Sequence, residues 1–265
     1  SSSEVSVKRV SSLKYGLLFS AIFIVFFSVS LLLHLPAAFA LKHAPKVRGL
    51  QIDGVQGSIW QGSASNIAWQ RVNYGSVQWD FQFSQLFQGK AELAVRFGRD
   101  SDMNLRGKGY VGYGMNGAYA QNLVASLPAE DVMKYVPNIP VPITAVGQVE
   151  LTIKHLQQGQ PWCQTGEGTL AWSGAGADTP LGSLDFGPVI ADVTCQDNTI
   201  AAKGTQKTAQ VESEFEASLT PNRRYATSAW FKPGAEFPQA MQSQLRWLGK
   251  PDNQGKYQFT EQGRL

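Results

Sequence analysis

The sequence holds few of the side chains that carry out chemistry: two cysteines and three histidines in 265 residues, with charged residues at only 16%. Two cysteines are too few for a tetrahedral metal site, and Cys163 and Cys195 stand too far apart for a redox dithiol motif. There is no G-x-S-x-G, no P-loop, no H-E-x-x-H and no C-x-x-C. Past the apolar N-terminal run only His43 and His155 remain for acid–base work, and no two carboxylates are placed by their sequence setting in one cleft. We therefore expect neither an enzyme nor a cofactor or metal. Charge of one sign is missing as well. From Leu41 onward 20 Lys and Arg stand against 19 Asp and Glu, without a basic stripe, which leaves out the electrostatic footprint of nucleic-acid binding.

Charge is absent altogether from Tyr15 to Leu35, YGLLFSAIFIVFFSVSLLLHL. As a helix this run spans roughly 31 Å, about the hydrocarbon thickness of a bilayer. A cleaved signal peptide is the rival reading, since Lys8, Arg9 and Lys14 precede the run and Ala38-Phe39-Ala40 resembles an A-x-A cleavage site. Length favours an uncleaved anchor, because signal cores run to about 7 to 15 apolar residues. The chain thus divides into a basic arm at 1–14, an anchor at 15–35 and a body at 41–265. The first seven residues lack an initiator Met and are set aside as an expression remnant or an extension. Lys42, Lys46 and Arg48 balance the charges on the near side, so orientation rests on the cysteines: an even pair fits a body exported from the reducing cytosol. His34 lies where a polar ring reaches the interface.

Glycine is plentiful at 26, and alternation dominates the body. Val77, Trp79, Phe81 and Phe83 share one face of a predicted strand over Ser76–Ser84, with Gln78, Asp80 and Gln82 on the other. Ala91, Leu93, Val95 and Phe97 repeat the pattern, as do Val149, Leu151 and Ile153, and then Tyr225, Thr227, Ala229 and Phe231. Short glycine-marked turns suit antiparallel meanders rather than βαβ crossovers. The expected fold is mainly β: a single membrane helix, then a strongly curved antiparallel sheet as trough, sandwich or open barrel. Two short helices are expected. One starts at an N-cap Ser126 with Pro128, Glu130 and Asp131 in its first turn and stops at Pro137; the other runs from about Phe237 to Leu248. The extended connector Pro137–Pro142 joins two lobes of one domain.

Gly107-x-Gly109-x-x-Gly112 matches the dinucleotide fingerprint as a string, but Tyr-Gly-Met-Asn-Gly follows instead of a helix, and five glycines at 107, 109, 112, 114 and 117 predict a bent or bulged ribbon. Asp100-x-Asp102-x-Asn104 begins like a calcium loop, yet Leu105 stands where glycine is needed and Val111 where glutamate is, leaving a surface turn. For Cys163 and Cys195 a disulfide is the economical reading, with about 3.5 kcal/mol from loop closure; two buried free thiols are the alternative.

The block Gly57-Ser58-Ile59-Trp60-Gln61-Gly62, after a basic start, one apolar span and the Leu50-x-x-x-Gly54 lead, resembles the family of type II secretion system protein N. Similar to that family too are the cysteine pair, Gly168-Thr169-Leu170-Ala171-Trp172, and Leu248-Gly249 followed by Gly255-Lys256-Tyr257, so the resemblance covers about Lys8 to Leu265. Physically, Gly57 and Gly62 bracket a short strand and Trp60 is an apolar plug, read as packing rather than binding. The resemblance implies an accessory subunit in the bacterial inner membrane, with a cytoplasmic arm and a periplasmic body, that supports export of folded proteins through an outer-membrane secretin. Its partners would be other inner-membrane subunits and the bilayer. The family is also similar, in its sheet-and-glycine character, to proteins that carry lipid along a curved β-trough; a lipid groove lined by Val77, Trp79, Phe81 and Phe83 is the alternative function.

Overall fold

A computed structural model describes residues 3–135 and 142–265. The chain opens with α1 (Ser3–Leu33), whose apolar portion Ser12–Leu33, with Lys14 its one charged residue, is 22 residues long, about 33 Å at the helical rise. That is long and apolar enough to cross a membrane, and none of its most apolar stretch is buried within the protein. At its end the His34 ring lies 2.9 Å from the Ser30 carbonyl. Pro36 then redirects the chain into α2 (Ala37–His43).

Fourteen strands follow: β1 (Leu50–Asp53), β2 (Gln56–Gly57), β3 (Gln61–Trp69), β4 (Val72–Phe81), β5 (Ala91–Phe97), β6 (Arg106–Gly114), β7 (Gly117–Pro128), β8 (Thr144–Gln158), β9 (Cys163–Thr179), β10 (Gly182–Gln196), β11 (Thr199–Lys207), β12 (Val211–Leu219), β13 (Arg224–Pro233) and β14 (Tyr257–Arg264). Two short helices, α3 (Ala129–Met133) and α4 (Gln239–Gln242), interrupt them. All strands belong to one antiparallel sheet in sequence order, with β2 beside β1 on β3. The sheet is not closed, because β1 and β14 stand at opposite ends of the strand order. Thirteen strands in file, at about 4.8 Å per step, extend roughly 58 Å.

Tight turns explain the meander. Asp197 and Asn198 both take positive φ, 51° and 63°, between the paired Gln196 and Thr199, the geometry that matches strand twist in a two-residue hairpin. Register shifts within β3–β4, β6–β7, β8–β9 and β9–β10 bend the sheet. The connector 136–141 lies outside the described residues; β7 and β8 on either side pair from Tyr119–Gln157 to Pro128–Gln148.

Three expectations need correction. The strand over Ser76–Ser84 ends at Phe81, and Phe83 begins a 3-10 helix, Phe83–Gln88, that carries the chain over to β5. Ser126 is not an N-cap: Ser126 and Leu127 are strand residues opposite Glu150 and Val149, and α3 starts after Pro128. The stretch Phe237–Leu248 is not one helix but α4 followed by a separate 3-10 turn at Leu245–Leu248, because Pro238 fixes the start and the pitch changes after Gln242.

The glycine-dense ribbon is β6, and its bulge falls between Lys108 and Tyr110. Its glycines are sockets. A methyl group on Gly107 would strike the ring of Phe97, and on Gly109 it would lie 2.5 Å from the Cα of Leu123. Large side chains of β5 and β7 therefore lie flat across the β6 backbone.

Candidate interaction surfaces

In an antiparallel sheet, residues directly opposite one another share a face. Followed strand by strand from β3 to β14, one row reads Ala64, Val77, Phe97, Gly107, Ala125, Leu151, Leu170, Ala191, Gly204, Phe215, Ala229 and Phe259. No member is polar. The neighbouring row, Gln78, Arg96, Lys108, Val124, Thr152, Thr169, Asp192, Lys203, Glu216, Ser228 and Thr260, is polar but for Val124. The sheet thus has an apolar face and a charged one.

Among the described residues no second sheet covers the apolar face, and α3 reaches it only with Val132 at the hollow. Among the described residues no large side chain is less than 2% exposed, and the buried apolar residues are mostly alanines. The face forms a hollow of about 450 Å³ lined by Val132 from α3, Val149, Leu170, Trp172, Phe186, Val189, Ala191 and Phe215, with Gln206 and Ser213 as its polar members. Trp172 and Phe186 meet at 5.6 Å between centroids, forming part of its wall. Val77, Trp79 and Phe81 lie half-buried on this same face, but at its β4 end and away from the hollow. The 720 Å³ hollow nearest to Trp79 includes Gln61, Ser63, Gln78, Asp80, Arg96 and Lys108, so polar groups dominate its lining.

Phe83, though off the strand, returns to pack its ring against Phe81 at 5.0 Å and Trp60 at 5.3 Å. Trp60 itself is only half-buried. Its indole N–H donates to the Leu32 carbonyl at 2.5 Å, and the Ile59 N–H donates to the Leu35 carbonyl at 3.0 Å. Leu32 lies in the last turn of α1, where its carbonyl also accepts from the Leu35 N–H at 3.5 Å, and Leu35 follows the helix end. The Gly57–Gly62 block is therefore where the sheet grips the exit of α1.

Cys163 at the start of β9 and Cys195 near the end of β10 are bonded, with Cα atoms 6.3 Å apart and both side chains buried. The bond closes the β9–β10 hairpin at the end opposite its turn. Replacing both cysteines by alanine is expected to cost about 3.5 kcal/mol, seen as a fall of roughly 10 °C in thermal midpoint. A midpoint unchanged by reductant would refute this.

Two acidic groups and one tyrosine are held by local hydrogen bonds that shift their titration. The buried Asp131 accepts from Lys134 Nζ at 2.7 Å and Asn104 Nδ2 at 3.0 Å, and these bonds, Lys134 first, hold its carboxyl below the usual range. Asp252 is likewise lowered, chiefly by the backbone N–H of Lys256 and then the Gln258 amide. Tyr119 donates to Glu92 at 2.9 Å, and burial, reinforced by that bond, pushes its phenol up to about 12. Each holds a turn or a strand contact in place. Among the described residues no three of His, Cys, Asp and Glu gather as metal ligands would. Asp100 and Asn104 occupy a turn at positive φ, where the Asp102 carboxylate accepts from the Asn73 N–H.

Sequence reasoning missed the hollow, although Leu170 and Trp172 stood in a quoted block; Phe186 and Phe215 reach it through register, which no local pattern records. It also missed the edge of β14, which among the described residues pairs with β13 alone.

No solved structure matches the chain. It is 47% identical to type II secretion system protein N of Vibrio cholerae serotype O1 over 95% of this chain and 98% of that one. To the protein of that name from Aeromonas hydrophila it is 35% identical, over 96% and 100%, and to that from Pectobacterium carotovorum 26%, over 96% and 99%. The sequence model described as type II secretion system (T2SS), protein N, matches residues 48–260, and the chain belongs to that family.

Proposed function

We propose that the chain is an accessory inner-membrane subunit of the type II secretion system, anchored by α1 with its sheet in the periplasm, and that it supports export of folded proteins by contact rather than by catalysis. The observation carrying this reading is the sheet itself: one edge is gripped to the apolar helix through Trp60, and the other, β14, presents a row of backbone groups with no strand beside it among the described residues. Such an edge accepts a further strand from a partner. The disulfide fits an oxidising compartment.

Photo-crosslinkers at Gln258, Thr260 and Gln262 of the full-length protein are expected to capture another inner-membrane subunit of the machine, and loss of the gene to leave folded cargo in the periplasm. Full secretion with no crosslink at β14 would overturn the reading. The apolar row favours a second reading, a lipid-handling trough. Stoichiometric lipid copurifying with the intact protein, displaced by bulky changes in the hollow around Leu170, is its signature.

A further inference from the structure

The grip on α1 fixes which end of the sheet meets the bilayer. Trp60 and Ile59 bond the carbonyls of Leu32 and Leu35, and Pro36 bridges to Ser58, so the β2–β3 turn sits at the helix exit. Because strands alternate in direction, the β4–β5 connection and the β6–β7 hairpin lie at this same end of the sheet. Their tips carry Phe87, 95% exposed, and Met115, 96% exposed, flanked by exposed Leu86 and Tyr113. The 3-10 helix bearing Phe87 is tied to the grip by the Trp60–Phe83 ring contact.

At the opposite end the corresponding tips are Gln70-Arg71 and Arg99-Asp100-Ser101-Asp102, which are polar and charged. The asymmetry has a direction. Large apolar side chains held almost wholly in water are costly, and Phe87 and Met115, the two most exposed of the described ones outside α1, both sit at the end joined to an apolar helix; Trp247, 75% exposed, lies in the β13–β14 connection at the other end. Lys42, Lys46 and Arg48 follow that helix closely and are exposed, as headgroup phosphates would favour.

We propose that the Phe83–Gln88 helix and the Met115 hairpin enter the headgroup–acyl boundary of the membrane that α1 crosses, so that the first strands stand on the phospholipid surface at points beyond the anchor. This rests on α1 being an uncleaved anchor. Insertion to about 5 to 10 Å is the usual depth for such apolar tips, and it would hold the sheet at a set angle to the bilayer, with β14 projecting away. Farther along, the tips Asp197-Asn198 and Thr220–Arg223 are polar, as expected once twist lifts the later strands off the surface.

The test uses the full-length protein in vesicles of phosphatidylethanolamine and phosphatidylglycerol, spin-labelled at Phe87→Cys or Met115→Cys, with Phe23→Cys in α1 and Leu181→Cys at the far end as references. The native cysteines are bonded to each other, so each variant offers one thiol. Labels at 87 and 115 are expected to collide several-fold more with oxygen than with a water-soluble nickel complex, as at 23, and the label at 181 to do the reverse. Labels at 87 and 115 as open to nickel as that at 181, with 23 still in lipid, would overturn the proposal and leave the anchor standing. A nickel-accessible label at 23 would overturn both.

Discussion

Replacing Gly57 with valine is expected to destabilise the protein by about 4 to 5 kcal/mol, through backbone strain added to overpacking. Gly57 takes φ of +81°, where a β-branched residue is strained, and its added Cβ would lie 2.6 Å from the Gln61 carbonyl oxygen and 2.8 Å from the Cα of Gly62. Gly62, directly opposite in the register, is equally confined: its own Cβ would meet the carbonyl oxygens of Gln56 and Ser58 at 2.6 and 2.7 Å. The two glycines let β2 fold back onto β3 closely enough to aim Trp60 at Leu32. The loss should appear in urea unfolding, and in faster amide exchange along β3 because an edge hairpin opens first. Gly114→Ala is the control, since its Cβ would come no nearer than 3.5 Å to the flexible Lys90 side chain and 4.0 Å to Gly89 and Tyr119, ordinary contact distances, and its effect should stay within about 0.5 kcal/mol. A Gly57→Val cost below about 1 kcal/mol would show that the block is not confined in this way.

Trp60 is a milder case than its sequence setting suggested. A fully buried tryptophan would cost about 3 to 5 kcal/mol on truncation, but here the ring is half-buried and its N–H serves a helix-end carbonyl. The sequence could show a large residue between glycines. It could not show that the thing packed against was the end of the apolar helix α1, 28 positions earlier.

The same boundary between local and distant information runs through the fold. Alternation placed β4, β5, β8 and β13, since period-two patterning is a property of each segment alone. It overran at Phe83 because Gln82 and Phe83 continue the alternation while the backbone is already turning, with no glycine before the left-handed Gly89. The Ser126 signal misled in the other direction: capping grammar was present, but pairing of Leu127 and Pro128 with β8 kept the chain extended. The β6 glycines announced a bulge, and one is there. That they receive Phe97, Leu123 and Tyr119 follows from neighbours in register, which composition does not encode. Whether the sheet closes depends on accumulated twist over fourteen strands, and so trough, sandwich and barrel were equal on sequence.

Ala191→Asp is expected to cost about 4 to 5 kcal/mol, because it sets a carboxylate on an apolar floor without a partner. Ala191 is 3% exposed and lies opposite Leu170 on one side and Gly204 on the other, in the hollow walled by Trp172, Phe186 and Phe215. None of the lining residues carries a positive charge, and their polar members, Gln206 and Ser213, are hydrogen-bonded to each other. Ala201→Asp is the matched control: it faces Thr194 and Ser218 on the polar side and should change stability by no more than about 0.5 kcal/mol. The comparison isolates the face from the sheet, since both positions are strand-interior alanines on adjoining strands. Urea unfolding of the two variants beside the parent measures it. Leu170 remains 39% exposed at the rim, so water stands at the mouth of the hollow, and the size of the Ala191 penalty reports whether it reaches the floor. A loss near 4 kcal/mol means a dry floor, able to hold an acyl chain or a partner's apolar side chain. A loss below about 1 kcal/mol means a wet one, in which case the apolar row is only the inner side of a thin sheet, and the free edge of β14 is left as the surface through which this subunit works.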